Sequence, residues 1–251
     1  AHTLIYSGTS SSNLSLTDST SDASTTTLTI TGLTNSTTYY GALRTRGNDG
    51  SLSNLTSIVS AVPQYVGPVW WVATNGNNSN DGSQSNPFAN ISTAYTAAAA
   101  GDTIKLKPGT FTGSSDRNIT INKNLVITSS HGPDSTTIDA GSANRHFYFN
   151  IVGDTLTHVI GLTLKNRSSS NGSFYINHSS PRITNCVFKN NISTYNGGAV
   201  YIQSSSTNKA EPVFTNCTFR DNRAKVNGGA IYMTGGSSDN QSTPRFISST
   251  I

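Results

Sequence analysis

Short runs of alternating apolar and polar residues recur along the C-terminal part of this 251-residue chain. The run at residues 183–191 returns at residues 214–222, which is a shift of 31 positions. A second run, at residues 196–202, returns at residues 227–233 with the same shift, and a third copy of the first run begins at Pro244. A period of this length, built from strand-like runs with turn residues between them, is typical of a solenoid of stacked coils.

Side chains alternate between the two faces of a strand, so one set of positions in each run must point into the coil. For the first run, the predicted inward residues of successive coils are Ile160, Leu162, Leu164, Thr184, Cys186, Phe188, Thr215, Cys217, Phe219, Ile247, Ser249 and Ile251. For the second run, they are Phe147, Phe149, Phe174, Ile176, Val200, Ile202, Ile231 and Met233. Two strands in each coil predict an all-β fold, a right-handed parallel β-helix whose coils stack about 4.8 Å apart.

The composition favours an extracellular or cell-surface protein. Charged residues make up 11% of the chain, Glu211 is its one glutamate, and no apolar run approaches the length of a membrane span. Cys186 and Cys217 share an inward register and are expected to be free thiols. We expect no cofactor, because no histidine or acidic cluster has ligand spacing; the Asn-rich loop at residues 75–82 has a single carboxylate, Asp81, which leaves only a weak possibility of calcium.

Residues 1–63 follow a different pattern of short strands, predicted at residues 3–6, 27–30, 39–46 and 57–62. Leu33 precedes Tyr39 by six residues at the start of a strand. This spacing resembles the tyrosine corner of fibronectin type III domains. The resemblance implies a partial fibronectin-like β-sandwich that lacks its first two strands, joined by a linker at residues 63–68 to the β-helix of residues 64–251.

The segment from Trp70 to Phe88, with its Asn-Asp-Gly-Ser and Asn-Pro-Phe motifs, resembles the first part of pectate-lyase-like β-helix proteins. An alanine-rich stretch at residues 91–100 then predicts a short N-terminal capping helix, which would cover the open core of the first coil. The β-helix itself is expected to be truncated at its C-terminal end, because residue 251 falls inside a predicted strand. Unlike pectate lyases, the chain has no cluster of aspartates on one strand face, so we predict no catalytic residues.

The repeated Phe-Lys-Asn-Asn and Phe-Arg-Asp-Asn motifs at residues 188–191 and 219–222, each followed by Gly-Gly-Ala, are similar to the repeats of polymorphic outer-membrane-protein adhesins. The resemblance implies a surface-exposed, adhesive protein. It does not by itself indicate what the protein adheres to.

Aromatic residues occupy one predicted outward register on four successive coils: Tyr148, Tyr175, Tyr201 and Tyr232. Two residues further on, the side chains are Asn150, Asn177, Gln203 and Thr234. Exposed aromatic rings beside amides can stack on sugar rings and bond their hydroxyls. The alternative is that like residues stack in a solenoid simply to stabilise neighbouring strands.

Lys165, Lys189 and Arg220 form a second register, and nine basic residues against three acidic ones follow position 154. Such a surface would attract an acidic partner, for example a uronate-bearing or sulfated glycan. A nucleic acid is not the predicted partner, because a β-helix offers no element that reads bases. The alternative interpretation is a solvated face that keeps the solenoid soluble.

The favoured hypothesis is a secreted or cell-surface modular protein without catalysis, which binds a polysaccharide or a surface protein through one face of the β-helix. One alternative is a polysaccharide lyase or hydrolase whose active coils lie beyond residue 251. Another is a structural subunit of an extracellular assembly that self-associates end to end through its open sheet edges.

Overall fold

The computed structural model describes residues 1–33, 37–62, 68–235 and 243–251. The chain divides into two compact units, Ala1–Val66 and Gly67–Ile251. Residues 63–67 of the predicted linker and residues 34–36, between Leu33 and Tyr39, lie outside the described residues. In the part of the chain that the structure describes, no helix is long and apolar enough to cross a membrane.

The first unit contains one antiparallel sheet in the order β2-β1-β3-β4. Its strands are β1 His2–Ser10, β2 Asn13–Ser19, β3 Tyr39–Arg46 and β4 Val59–Ala61. β1 pairs with β3 over seven residues, from His2 opposite Arg46 to Gly8 opposite Tyr40. A second sheet, which a sandwich requires, is not found among residues 1–33 and 37–62, so the predicted fibronectin-like sandwich is not confirmed.

The strand predictions for this unit missed one strand and placed another where none forms. β2 was not predicted, because its apolar side chains are few and Leu16 is 55% exposed. A two-residue turn joins β2 to β1, so backbone pairing with β1 forms this strand rather than burial of its side chains. Residues 27–30 do not form the predicted strand. Leu28 and Ile30 instead line a cavity together with Ile5 and Leu43 of the sheet.

The second unit is a parallel β-solenoid whose strands form four sheets. Sheet 1 contains β5 Val69–Val72, β6 Thr103–Leu106, β9 Val126–Ser129, β12 His158–Ile160, β16 Arg182–Thr184, β20 Val213–Thr215 and β24 Arg245–Ile247. Sheet 2 contains β7 Gly109–Phe111, β10 Thr136–Asp139, β13 Thr163–Lys165, β17 Val187–Lys189 and β21 Thr218–Arg220. Sheet 3 contains β8 Ile119–Ile121, β11 Phe147–Phe149, β15 Phe174–Asn177, β19 Val200–Gln203 and β23 Ile231–Thr234. Sheet 4 contains β14 Ser168–Asn171, β18 Ile192–Asn196 and β22 Arg223–Ala224.

Each later coil therefore passes through sheets 1, 2, 4 and 3 in turn, which corrects the prediction of two strands per coil. The first predicted run is split in two by a residue in the left-handed region, with φ of 68° at Gly161 and 52° at Asn185 and Asn216. Glycine and asparagine adopt this conformation more readily than other residues, and it turns the chain from sheet 1 into sheet 2.

This bend breaks the predicted alternation of the first run. On strands β12, β16 and β20 of sheet 1, the buried residues are Val159, Ile183 and Phe214, one position before the predicted Ile160, Thr184 and Thr215. After the bend, the predicted inward residues of sheet 2 and of its corner are buried: Leu162, Leu164, Cys186, Phe188, Cys217 and Phe219. A strict period of two cannot continue through a left-handed residue, so only the second half of each run keeps the predicted register.

The core is a continuous stack of apolar side chains inside the coils. Phenylalanine rings meet across sheets and coils, with centroids 4.9 Å apart for Phe174 and Phe188 and 4.8 Å apart for Phe188 and Phe219. Met233, predicted to be inward, is 41% exposed because β23 is the last strand of sheet 3. Ile247 and Ile251 are also exposed, at 40% and 66%. Cys186 and Cys217 are buried free thiols, as their shared register predicts, and burial raises the pKa of both.

Helix α1, Ile91–Ala97, begins where the sequence predicts, and Ile91 and Ala94 are buried in the core. Asn90 caps it by accepting a hydrogen bond from the Thr93 backbone N–H. It ends three residues earlier than predicted, because the Asp102 carboxylate binds the Ala99 N–H and draws the chain out of the helix. A short 3-10 helix, Ser114–Asp116, follows β7.

Asparagine side chains close the turn after sheet 2, and that of Asn191 is fully buried. Asn191 donates to the Leu164 carbonyl oxygen at 3.0 Å and to Asn222 Oδ1 at 3.1 Å. Asn222 repeats the arrangement one coil later by donating to the Phe188 carbonyl oxygen. These bonds satisfy backbone groups that a corner would otherwise leave unpaired.

Candidate functional site

Four tyrosines lie in one register on sheet 3. Tyr148 pairs with Tyr175, Tyr175 with Tyr201, and Tyr201 with Tyr232 on adjacent parallel strands. Flanking residues such as Phe174 and Ile176 are fully buried, so alternation directs the tyrosines outward, where they are half-buried. We call these four residues the tyrosine ladder.

Neighbouring rings of the tyrosine ladder are in contact along its whole length. The Tyr148 and Tyr175 centroids are 4.9 Å apart with the rings nearly parallel, at 28°. Tyr201 meets Tyr175 edge to face at 5.2 Å, and Tyr232 lies 5.5 Å from Tyr201 at 33°. Both arrangements are favourable for aromatic pairs, so the ladder is preorganised as a continuous aromatic surface.

Amide side chains brace the start of the ladder. Asn177 Nδ2 donates to Asn150 Oδ1 at 2.9 Å and to the Tyr148 hydroxyl at 3.2 Å. The Tyr175 hydroxyl donates to Gln203 Oε1 on the next strand. Thr234 lies opposite Gln203 in the same register. The sequence places all four polar residues beside the tyrosines, and the structure adds the hydrogen bonds that orient two of the phenol groups.

A cation that the sequence analysis missed lies over this surface. The Arg145 guanidinium is 5.4 Å from the Tyr148 ring centroid and 5.1 Å from the Tyr175 ring centroid. The repeat pattern does not reveal Arg145, because this residue lies outside the strands. Its one sequence signal is its position three residues before Tyr148. A guanidinium over the ring faces adds positive charge to the tyrosine ladder without occupying the edges of the rings.

The two central phenols of the ladder, Tyr175 and Tyr201, remain protonated at neutral pH. Burial, with the neighbouring Tyr148 and Tyr201, raises the pKa of Tyr175, and the opposing charge of Arg145 does not reverse this. Burial likewise raises the pKa of Tyr201. Neutral hydroxyls can both donate and accept hydrogen bonds, as sugar hydroxyls require.

The predicted basic residues form a separate register on sheet 2. Lys165 pairs with Lys189, and Lys189 with Arg220. Asp139, which the sequence analysis did not connect with them, precedes Lys165 in the same register and its Oδ2 lies 3.4 Å from Lys165 Nζ. We call Lys165, Lys189 and Arg220 the basic ladder.

Acidic residues stand at both ends of the basic ladder. Partial burial raises the pKa of Asp139, but hydrogen bonds from Gly141 and Asn166 and the charge of Lys165 outweigh it and lower the pKa overall. Arg220 lies 3.9 Å from Asp221, with both side chains exposed. In the described part of the chain Lys189 has no ion-pair partner, so it carries the uncompensated charge of the ladder.

Arg167, which is close to Lys165 in sequence, does not belong to the charged surface. It is 1% exposed, and its guanidinium donates to the Ile192 carbonyl at 3.1 Å and to the Asn171 carbonyl at 2.5 Å. Burial lowers its pKa to about 10. The residue follows the left-handed Asn166, which turns its side chain inward toward the backbone of sheet 4.

Asp81, the predicted weak calcium position, is buried in its loop, and its Oδ1 accepts the Ser83 backbone N–H at 3.0 Å. Among the described residues, no group of three or more His, Cys, Asp or Glu side chains is placed to hold a metal ion. The nearby Asn77 and Asn78 side-chain oxygens accept backbone N–H groups of the same segment. Calcium binding here stays an untested prediction.

Two protein families match parts of the chain. Residues 74–126 match the family described as "Protein of unknown function (DUF1565)". Residues 185–203 and 216–234 match the Chlamydia polymorphic membrane protein repeat. The second match confirms the resemblance predicted from the repeated motifs. It includes Tyr201 and Tyr232 of the tyrosine ladder and Lys189 and Arg220 of the basic ladder.

Two solved structures resemble the fold at low sequence identity. Pectate lyase Pel9A is 23% identical, with 60% of this chain and 47% of that chain covered and a TM-score of 0.37. A rhamnogalacturonan lyase is 13% identical, with 73% of this chain and 62% of that chain covered and a TM-score of 0.36. The chain thus spans about half the length of the first lyase. No curated protein matches the sequence.

Proposed function

We propose that this chain is a non-catalytic adhesion protein of the cell surface or extracellular space, and that it binds polysaccharide through the outward face of sheet 3. The observation that carries the proposal is the tyrosine ladder, four touching aromatic rings in one register with amide groups and Arg145 beside them. Sugar rings stack on aromatic faces through their C–H groups, while amides and phenols bond their hydroxyls.

The location of the family matches supports an adhesive role. The polymorphic membrane protein repeat covers residues 185–203 and 216–234, and these segments contain half of the tyrosine ladder. An adhesive surface built by repetition offers several equivalent contacts to a polymer. Weak contacts of this kind add up when the ligand is itself a repeating chain.

The basic ladder is a second contact surface in this proposal. Lys189 stands between two other cations without a carboxylate partner in the described chain, so an anionic group of the ligand would relieve the repulsion. It lies on sheet 2 and the tyrosine ladder on sheet 3, so the two ladders contact the ligand on different faces.

The solenoid also needs a cover at its first coil, and we propose that helix α1 provides it. Ile91, Ala94 and Ala98 belong to the continuous core that includes Ile104 and Leu106 of the first coil. A helix in this position shields the apolar stack from water.

The test is retention of the purified protein on immobilised polysaccharides, for example polygalacturonate, chondroitin sulfate and cellulose, with soluble products measured in parallel. Replacing both Tyr175 and Tyr201 by Ala should lower retention about tenfold, because two stacking surfaces are lost. The Tyr175→Phe, Tyr201→Phe variant keeps both rings and should retain binding. We expect no release of unsaturated or reducing sugar ends.

Tyr6 provides a matched control in the other unit. It is a half-buried tyrosine with an arginine above its ring, at 5.7 Å from Arg44, and Tyr6→Ala should leave retention unchanged. Unchanged retention by the Tyr175→Ala, Tyr201→Ala variant, together with lowered stability, would mean that the ladder serves only to stabilise the coils. Release of sugar ends by the purified protein would contradict the non-catalytic part of the proposal.

A further inference from the structure

A polar cavity lies at one end of the tyrosine ladder. Its volume is about 470 Å³, and its lining includes Ser92, Tyr95, Arg117, Asn118, Thr120 and Asn144. Cavities of this size hold small ligands such as single sugar units. We call it the Arg117 cavity.

The Arg117 cavity is continuous with the ladder through the strand register. Thr120, on β8, pairs directly with Tyr148 on β11, and both side chains project outward between buried neighbours. Asn144 lines the cavity and immediately precedes Arg145, which lies over Tyr148 and Tyr175. From Thr120 to Tyr232 the face crosses five strands, a distance of about 19 Å at the usual strand spacing.

The lining of the cavity is held in place by its own hydrogen bonds. The Tyr95 hydroxyl donates to Asn122 Oδ1 at 2.6 Å and accepts the Asn122 backbone N–H at 2.9 Å. Arg117 Nη1 donates to the Thr112 carbonyl at 3.0 Å, which leaves other N–H groups of the guanidinium for a ligand. A preorganised lining lowers the entropic cost of binding.

The charge around the cavity is positive. Arg117 lines it, and Lys123 lies with its Nζ 4.5 Å from the Tyr95 ring centroid. No lining residue is acidic. The neighbouring Asp116 is buried, and its two carboxylate oxygens accept the Ile91 and Gly113 backbone N–H groups, so it is not positioned as a partner for the ligand. An anion entering the cavity would meet cations without a competing carboxylate.

From this juxtaposition we infer that the Arg117 cavity is the end subsite of the polysaccharide face and binds the acid-bearing sugar at one end of the ligand. The inference rests on the proposed function, since the remaining sugars would lie along the tyrosine ladder. Arg117 supplies the charge-assisted hydrogen bonds to a carboxylate or sulfate, and the serine, threonine and asparagine groups bond the hydroxyls of the same sugar. The ligand class is therefore an anionic polysaccharide.

The experiment measures the affinity of four proteins by calorimetry: wild type, Arg117→Gln, Arg117→Lys and Tyr175→Ala. The probes are trigalacturonate, its neutral methyl ester, and a κ-carrageenan tetrasaccharide that carries sulfate but no carboxylate. We expect Arg117→Gln to lower the affinity for an anionic probe about tenfold and to leave the affinity for the neutral ester unchanged. Arg117→Lys should have an intermediate affinity for the anionic probe. Tyr175→Ala should weaken charged and neutral probes alike.

The outcomes separate the two proposals. If Tyr175→Ala weakens binding but Arg117→Gln does not, or if Arg117→Gln weakens charged and neutral probes equally, the end subsite is rejected and the polysaccharide face stands. If Tyr175→Ala changes nothing, the polysaccharide face is rejected. If Arg117→Gln lowers the affinity for only one of the two anionic probes, that probe shows whether the cavity binds a carboxylate or a sulfate. Failure of the wild type to bind either anionic probe would overturn the inference.

Discussion

The tyrosine ladder and the basic ladder are built in the same way, yet stacking has opposite consequences for them. In both, parallel strands bring identical or similar side chains onto adjacent positions. Aromatic rings gain from this proximity, and the Tyr148 and Tyr175 rings stack at 4.9 Å. Like charges directly opposite each other repel, so the same register makes the position of Lys189, between two other cations, unfavourable for stability.

The neighbours of each ladder reflect this difference. The tyrosine ladder is braced by neutral amides and by Arg145, which is attracted to the rings. The basic ladder is neutralised at its ends by Asp139 and Asp221 but not at its centre. A solenoid repeat therefore stabilises an aromatic face by itself, whereas a cationic face depends on counter-charges from elsewhere in the protein, from salt or from a ligand.

The largest expected effect concerns His146, which joins the sheets that carry the two ladders. Its Nε2 donates to the Ile138 carbonyl of sheet 2, and its Nδ1 accepts the hydroxyl of Ser173, next to sheet 3. Burial lowers the pKa of His146 from 6.5 to about 4, so the folded protein keeps it neutral while the unfolded chain binds a proton. Stability should fall as the pH drops from about 6.5 to about 4, by about 3 kcal/mol.

Urea unfolding of wild type and His146→Gln at pH 7, 5.5 and 4 measures this contribution. The difference in unfolding free energy between the two proteins should change by about 3 kcal/mol over this interval, because glutamine does not titrate. Parallel pH profiles for the two proteins would show that His146 does not link the sheets in its neutral form.

The amides that follow the ladders should differ in their contribution to stability. Asn191, after the basic ladder, is fully buried and bonds Leu164, Asn222 and the Arg167 backbone N–H. Asn191→Ala leaves buried groups without partners and should lower the unfolding free energy by about 2–4 kcal/mol.

Asn177, after the tyrosine ladder, is half-buried, so Asn177→Ala should cost less than about 1 kcal/mol. Chemical denaturation of both variants under the same conditions provides the comparison. Equal losses would indicate that the corner of sheet 2 can admit water to replace the Asn191 amide.

The smallest effect, and the one most specific to the basic ladder, is expected at Lys189. Lys189→Gln removes the central cation and should raise stability by about 0.5 kcal/mol at low salt, with the gain disappearing at high salt. The matched variant Lys165→Gln removes the partner of Asp139 and should give no gain. Thermal unfolding at two salt concentrations tests both; a gain for Lys189→Gln that persists in high salt would point to packing rather than repulsion.

The repeat in the sequence was sufficient to predict the solenoid and the membership of the tyrosine ladder. Equivalent positions of successive coils must meet when parallel strands stack in register, so Tyr148, Tyr175, Tyr201 and Tyr232 could be aligned by counting. The same counting grouped Lys165, Lys189 and Arg220. In the first unit, which has no repeat, strand prediction missed β2 and placed a strand at residues 27–30 that does not form.

The sequence by itself determined the period, the stacking and the outward registers of sheets 2 and 3, because these follow from local alternation that repeats from coil to coil. The tertiary structure alone decided where each coil bends, since the left-handed Asn185 and Asn216 reverse the alternation within a run. It also decided that Arg167 is buried, that Arg145 lies over the tyrosines, and that Thr120 opens into the Arg117 cavity. These features depend on contacts between residues that do not share a register, and such contacts leave no periodic trace in the chain.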